Sequence, residues 1–235
     1  MTDARLAPAR RHRIVDDVAR SLEDAILSGG MRPGERLIGT QLAEQLGVSQ
    51  TTVREALLML ENRGLVKSEP RRGTFVTRLA PEDARDLCRM RALLEGYAVF
   101  VGIANVGADR LARMDDCVAE MSRCRLPDDV PRLIRIDLRF HQLIAESAGS
   151  DRLVTLWASL NGQVGALFIT GLEHRHASIE DIAGFHRQLI WALRSGDPAV
   201  AEAAVVDHYV TGTPGAVLTH AAILHAVELL GLPKT

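Results

Sequence analysis

Three observations predict a mainly α protein in two parts, a small helical domain with a β-hairpin followed by an antiparallel all-helical bundle. Apolar residues recur at helical spacing through most of the 235 residues, and strand-like alternation is confined to residues 65–77. Charge changes sign near residue 80: residues 1–80 carry 13 Lys/Arg against 10 Asp/Glu, and residues 81–235 carry 15 against 20. Seven of the eight histidines also fall after residue 80. A chain so divided is expected to hold two domains, 1–78 and 79–235, with different tasks. Its 47% hydrophobic and 25% charged composition excludes disorder and collagen-like repeats.

Ile14, Val18, Leu22, Ala25 and Ile26 place a first helix running to about Ser28, stopped by Gly29-Gly30. Arg32-Pro33-Gly34 reads as a turn. A second, short helix follows, with Thr40 as its expected N-cap and Leu42, Ala43 and Leu46 facing inward. Gly47 closes it, Val48 plugs the core, and Ser49 caps a third helix from about Gln50 to Arg63. Helix, tight glycine turn and helix make a helix-turn-helix, whose second helix presents its N-terminal residues to a DNA major groove. Those residues are Ser49, Gln50, Thr51, Thr52 and Arg54. Hydroxyls suit phosphate oxygens, while Gln and Arg bond base edges in pairs. Residues 65–69 and 74–77 read as two strands joined by the basic tip Pro70-Arg71-Arg72-Gly73, which completes a winged helix-turn-helix. Arg71 and Arg72 are then placed to meet phosphate or the minor groove.

The segments Arg32-Pro33-Gly34-Glu35-Arg36-Leu37, Leu42 to Ser49, Val53-Arg54-Glu55-Ala56-Leu57 and Arg71-Arg72-Gly73-Thr74-Phe75-Val76 resemble the DNA-binding domain of the GntR family of bacterial transcriptional regulators. The resemblance covers roughly residues 12–78. It implies DNA contacts at Thr51, Arg54 and Gly73, and Arg32 is a further DNA-binding candidate. One departure stands out: Gln50-Thr51-Thr52 replaces the family's usual Arg-Thr-Pro. Gln50 favours adenine where Arg favours guanine, so the usual operator core is not implied.

After the break at Ala80-Pro81 the periodicity predicts helices over about 81–104, 109–124, 128–148, 151–171, 178–195 and 198–212. A further segment, 215–230, is apolar nearly all round and is expected to be buried in its own domain or against a second subunit. Asp137 and His141 are four apart on one helix and share a face. His186 precedes Gly196 by ten residues and His208 follows Pro198 by ten, so antiparallel helices joined there bring both rings to one depth. Three nitrogens and a carboxylate suit a first-row divalent ion, zinc foremost, with nickel or manganese possible. The alternative is that these are ordinary core or surface histidines. His174 and His176 are expected in an exposed loop, and Trp157 in the core.

Asp137-Leu138-Arg139-Phe140-His141, Phe185-His186, Gly196-Asp197 and Asp207-His208 resemble the FadR-type effector domain, FCD, in its six-helix, VanR-like form. That resemblance implies a metal held by Asp137, His141, His186 and His208, and a small carboxylate effector beside it. It also implies a homodimer on a pseudo-palindromic operator, with effector binding shifting the two DNA-reading heads. Arg91, four residues before Glu95 in an Arg-x-x-x-Glu feature of the family, is the candidate anion clamp, with Asn161 a second effector contact. The other reading of Arg91 is a surface ion pair with Glu95.

Three cysteines without a CxxC pair speak against a disulfide framework. A polar, Arg-rich N-terminus reads as no secretory signal, and no apolar run is long enough to span a bilayer. The expectation is a cytoplasmic regulator, not an enzyme, and a repressor rather than an activator. Two other functions fit the same residues: a metal sensor answering to the ion itself, and a metal-dependent hydrolase, which would leave the winged helix without a purpose.

Overall fold

The computed structural model describes residues 11–174 and 178–211, and the chain divides into two compact units, Met1–Arg78 and Leu79–Thr235. The first contains α1 (Arg11–Leu27), β1 (Arg36–Leu37), α2 (Gly39–Leu46), α3 (Gln50–Asn62), β2 (Val66–Glu69) and β3 (Gly73–Val76). The strands form one antiparallel sheet in the order β1-β3-β2, with Phe75 opposite Arg36 on one side and Lys67 on the other. The two-residue β1 is too short to show alternation in the sequence. Its neighbours fix it: the Val76 amide donates to the Glu35 carbonyl at 2.8 Å, and Gly34 donates back to Val76 at 2.9 Å.

Val15, Val18, Ala19, Leu22 and Ile26 form the buried face of α1. Ile14, expected inside, is 52% exposed, because Val15 takes the inner position. Thr40 does not cap α2. The helix starts at Gly39 behind Ile38 without a side-chain cap, and packing of Leu42 and Ala43 holds it. Gly47 has φ +65°, and its amide closes the helix onto the Ala43 and Glu44 carbonyls. That left-handed residue turns the chain in the short space before Ser49.

Among the described residues, the second unit is all helical: α4 (Pro81–Gly102), α5 (Ala108–Met121), α6 (Val130–Ala145), α7 (Asp151–Ala158), α8 (Asn161–His174), α9 (Ile179–Arg194) and α10 (Pro198–Thr211). Its core gathers Val99, Met114, Met121, Phe140, Ile144, Leu189, Leu193 and Val205. The expected single helix over 151–171 is two helices. At the break the Ser159 hydroxyl donates to the Leu156 carbonyl at 2.6 Å. The Leu160 amide bonds three residues back, to Trp157, so the ladder tightens and ends.

The end of α4 lies against the short turn 146–148. A Cβ on Gly102 would sit 2.1 Å from the Ser147 carbonyl oxygen, so only glycine fits there. Asn105 donates to the same carbonyl at 2.9 Å. Gly196 (φ +69°) and Asp197, whose carboxylate accepts the Ala199 amide at 2.8 Å, turn α9 into α10. Cys88, Cys117 and Cys124 are buried and in no disulfide. No described helix is long and apolar enough to cross a membrane. The 215–230 segment and His176 lie outside the described residues, and His174 is the last residue of α8 rather than part of a loop.

Candidate functional site

The first candidate surface is the start of α3. The Ser49 hydroxyl accepts the Thr52 amide at 3.1 Å and lies 2.8 Å from the Thr52 hydroxyl. This N-cap fixes where the helix begins. It also turns Thr52 inward, to 8% exposure, so Thr52 is a capping and core residue rather than one open to a groove. Ser49, Gln50, Thr51 and Arg54 are exposed, Arg54 one turn beyond Gln50. Arg32 is exposed in the turn before β1, where its amide donates to Glu35 at 2.9 Å.

At the wing tip the Arg72 amide donates to the Glu69 carbonyl at 3.1 Å. That puts Pro70 second in the turn and Arg71 third, with φ +62°. The third position of such a turn favours glycine, so Arg71 is held there against its own preference. The Arg72 side chain pairs with Glu69 and lies 5.8 Å from the centre of the Phe75 ring. Gly73 has φ +111°, and Arg36 lies against it: a Cβ would meet Arg36 Nε at 3.0 Å. Arg36, on the strand too short to be read, is a basic residue of the wing that the sequence did not single out.

The second candidate is in the helical unit, where α6, α9 and α10 bring together the four predicted ligands. One ligand atom from each of His141, His186 and His208 lies within 4.8 Å of the others. Asp137 Oδ1 is 3.0 Å from His186 Nε2 and 3.8 Å from His141 Nε2. Asp137, His141 and His186 are at most 4% exposed. Burial alone would raise the Asp137 carboxyl, but His141 and His186 outweigh it and keep it ionised far below the usual range. Burial and the neighbouring His186 and His141 push His208 well below the ordinary histidine value, so its ring is neutral at pH 7.

These side chains fit a metal ion. His186 places Nδ1 2.8 Å from the Ile182 carbonyl and Nε2 3.0 Å from the Asp137 carboxylate. Both are acceptors, and a neutral imidazole has one N–H to give. With Nδ1–H on the carbonyl, either a second ring proton or a cation shared by Nε2 and Asp137 would satisfy the remaining contact. His208 Nδ1 is buried without a hydrogen-bond partner. His141 Nδ1 faces the Glu95 carboxylate at 2.7 Å, which orients the ring as an outer carboxylate does for metal-bound histidines.

Arg91 is not half of a surface pair. It is 1% exposed, and its partner Glu95 is fully buried. Arg91 Nε donates to the Tyr209 hydroxyl at 2.9 Å and Nη1 to Asn161 Oδ1 at 3.0 Å, so the two effector candidates are bonded to each other. Nη2 lies 3.1 Å from Glu95 Oε1 but makes no aligned hydrogen bond. The guanidinium is 4.6 Å from the centre of the Trp157 ring, and Trp157 is core, as expected. Glu95 and Tyr209 were missed as site residues. Glu95 was legible only as the i+4 neighbour of Arg91, and no periodicity marks Tyr209.

Comparisons with known proteins agree with this two-part reading. The model of the FCD domain family matches residues 86–211, and that of the bacterial regulatory proteins, gntR family, matches residues 14–76. A probable D-xylose utilization operon transcriptional repressor from Paenarthrobacter nicotinovorans is 27% identical over 96% of this chain and 99% of its own. YdhC of Bacillus subtilis, an uncharacterized HTH-type transcriptional regulator, is 28% identical over 80% of this chain and 84% of its own. Among solved structures, a putative GntR regulator from Rhodococcus sp. RHA1 is 26% identical with TM-score 0.71, covering 90% of this chain and 98% of that one. Escherichia coli McbR/YncC has the same fold, at 22% identity and TM-score 0.68, over 91% of this chain and 98% of that one. These families and relatives are transcriptional regulators, and nothing among them supports the hydrolase reading. The chain belongs to the GntR family of bacterial transcriptional regulators, as a member whose second domain is an FCD domain.

Proposed function

We propose that this regulator is a repressor whose FCD domain binds a divalent metal, zinc foremost, and a small carboxylate effector that weakens operator binding. The observation that carries the reading is the convergence of Asp137, His141, His186 and His208, with each Nδ1 of His141 and His186 already facing an outside acceptor. A bound ion would supply a Lewis-acidic site for a ligand oxygen. Support for the effector comes from Arg91 Nη2, a buried donor without an aligned acceptor, which a ligand carboxylate would satisfy. Ser49, Gln50, Thr51, Arg54, Arg71 and Arg72 would meet the operator, the last after leaving Glu69. A homodimer is supported by the apolar stripe Met90, Tyr97 and Val101 on α4, exposed on one helical face with Leu156 of α7 also exposed.

The test is metal content and operator binding on the purified full chain. About one zinc per chain is expected, lost in His141→Ala, with upstream DNA still bound. Arg54→Ala is expected to abolish that binding while zinc remains. A wild-type chain that takes up no zinc, nickel or manganese would overturn the metal assignment. Operator release by the metal alone, with no response to any carboxylate, would replace the effector reading with a metal sensor.

A further inference from the structure

Glu95, fully buried in the helical unit, is met by four side chains. Its Oε2 lies 2.7 Å from His141 Nδ1. Its Oε1 accepts the Trp157 indole N–H at 2.7 Å and the Tyr209 hydroxyl at 2.7 Å, with Arg91 Nη2 3.1 Å away. One carboxylate from α4 thus meets side chains of α6, α7 and α10. Through Arg91 it also meets Asn161 at the start of α8. A carboxylate accepts only, so whatever faces it donates. The indole donates in any case, but imidazole has a choice.

We infer that Glu95 is a positioning residue: it holds His141 as the Nδ1–H tautomer, leaving Nε2 for the metal, and ties that ring to Trp157 of α7. The inference rests on the metal reading above and adds how the ion is sensed. His141 and Trp157 bond to opposite oxygens of one carboxylate, so a shift of the His141 ring on metal binding reaches α7 through a single side chain. Helix α7 is short and carries Leu156 outward, 52% exposed, next to the buried Trp157. Metal occupancy is therefore communicated to an outer face of the domain.

Glu95→Gln keeps the shape and reverses the polarity toward His141. A Gln whose carbonyl still accepts from Trp157 and Tyr209 turns its NH2 toward His141 Nδ1, and the ring must become the Nε2–H tautomer. Zinc then competes with a proton for its nitrogen. The experiment uses the full chain with Trp191→Phe, which removes the other tryptophan, itself 73% exposed. Zinc is titrated with Trp157 emission as readout, and long-range 1H–15N spectra of the metal-free protein report the His141 tautomer. With Glu95 present, His141 is Nδ1–H and zinc changes the emission. In Glu95→Gln the tautomer switches, zinc affinity falls about 10–100-fold, and the emission step is lost. Equal zinc affinity with an unchanged tautomer in Glu95→Gln overturns the inference. Should that variant not fold, an Nε2–H tautomer of His141 in the metal-free parent overturns it alone. A parent chain that binds no zinc fails the metal reading itself and is distinguished by that.

Discussion

Arg71 holds a backbone conformation that its own side chain disfavours, at the tip of a wing where a glycine would be at ease. A left-handed non-glycine residue costs about 1–2 kcal/mol, and such strain is often kept where a side chain has work to do. Arg71→Gly is therefore expected to stabilise the DNA-binding domain by about 1 kcal/mol while weakening operator binding. Thermal unfolding and a DNA titration on the same variant check both halves, and a variant that gains stability without losing affinity would free Arg71 of any DNA role. The same scale shows what sequence reading reaches. Asp137, His141, His186 and His208 were legible because helical spacing and one turn fix their relative positions. The burial of Thr52 and Arg91 was not readable, because burial depends on what packs above them. Thr52 is drawn inward by the Ser49 cap. Arg91 is enclosed by Glu95, Tyr209, Asn161 and Trp157, three of them distant in sequence.

At the scale of the element, α9 delivers His186 and depends on its first turn. The Ser178 hydroxyl accepts the Asp181 amide at 3.1 Å, and the Asp181 carboxylate accepts the Ser178 hydroxyl and amide at 2.7 and 2.9 Å. This box is expected to make Ser178→Ala less stable by about 1 kcal/mol at pH 7. The Ser178 hydroxyl, and after it the amide, hold Asp181 below the ordinary aspartate value of 3.8. A depressed folded value means that the ionised form favours folding. Its contribution is full above 3.8 and fades as pH falls through the depressed value. The Tm gap between wild type and Ser178→Ala should accordingly narrow in acid, and a constant gap from pH 7 to the acid limit would contradict this. Gly102 offers a second test. Its approach to the Ser147 backbone leaves no room for a methyl group, so Gly102→Ala should cost roughly 1–3 kcal/mol in urea unfolding. Helix existence and most boundaries were readable from periodicity, but the Ser159–Leu160 break was not: hydrogen bonds to the preceding turn cause it, and the Asn161-Gly162 pair just beyond it belongs to the first turn of α8.

For the whole molecule, the near balance of charge has a measurable meaning. With only a small positive excess in the DNA-binding domain, operator affinity is expected to depend on a few placed arginines and, on the dimer reading, on pairing two heads. Tyr97→Glu puts a charge into the exposed stripe of α4, and light scattering is expected to show a single copy of 25.6 kDa in place of a dimer. A variant that remains dimeric would move the interface elsewhere.

The polar centre of the FCD domain also sets an order of events during synthesis. Arg91 meets Tyr209 across 118 positions of chain, and His208, the last of the four proposed ligands, sits beside Tyr209 on the final described helix. Until α10 leaves the ribosome, the buried carboxylate of Glu95 lacks one of its donors and the histidine cluster is incomplete. The packed elements of the DNA-binding domain all lie before residue 79, so it can finish folding while the helical domain is still waiting. A nascent chain stalled near residue 200 should present a protease-resistant N-terminal unit followed by a cleavable remainder.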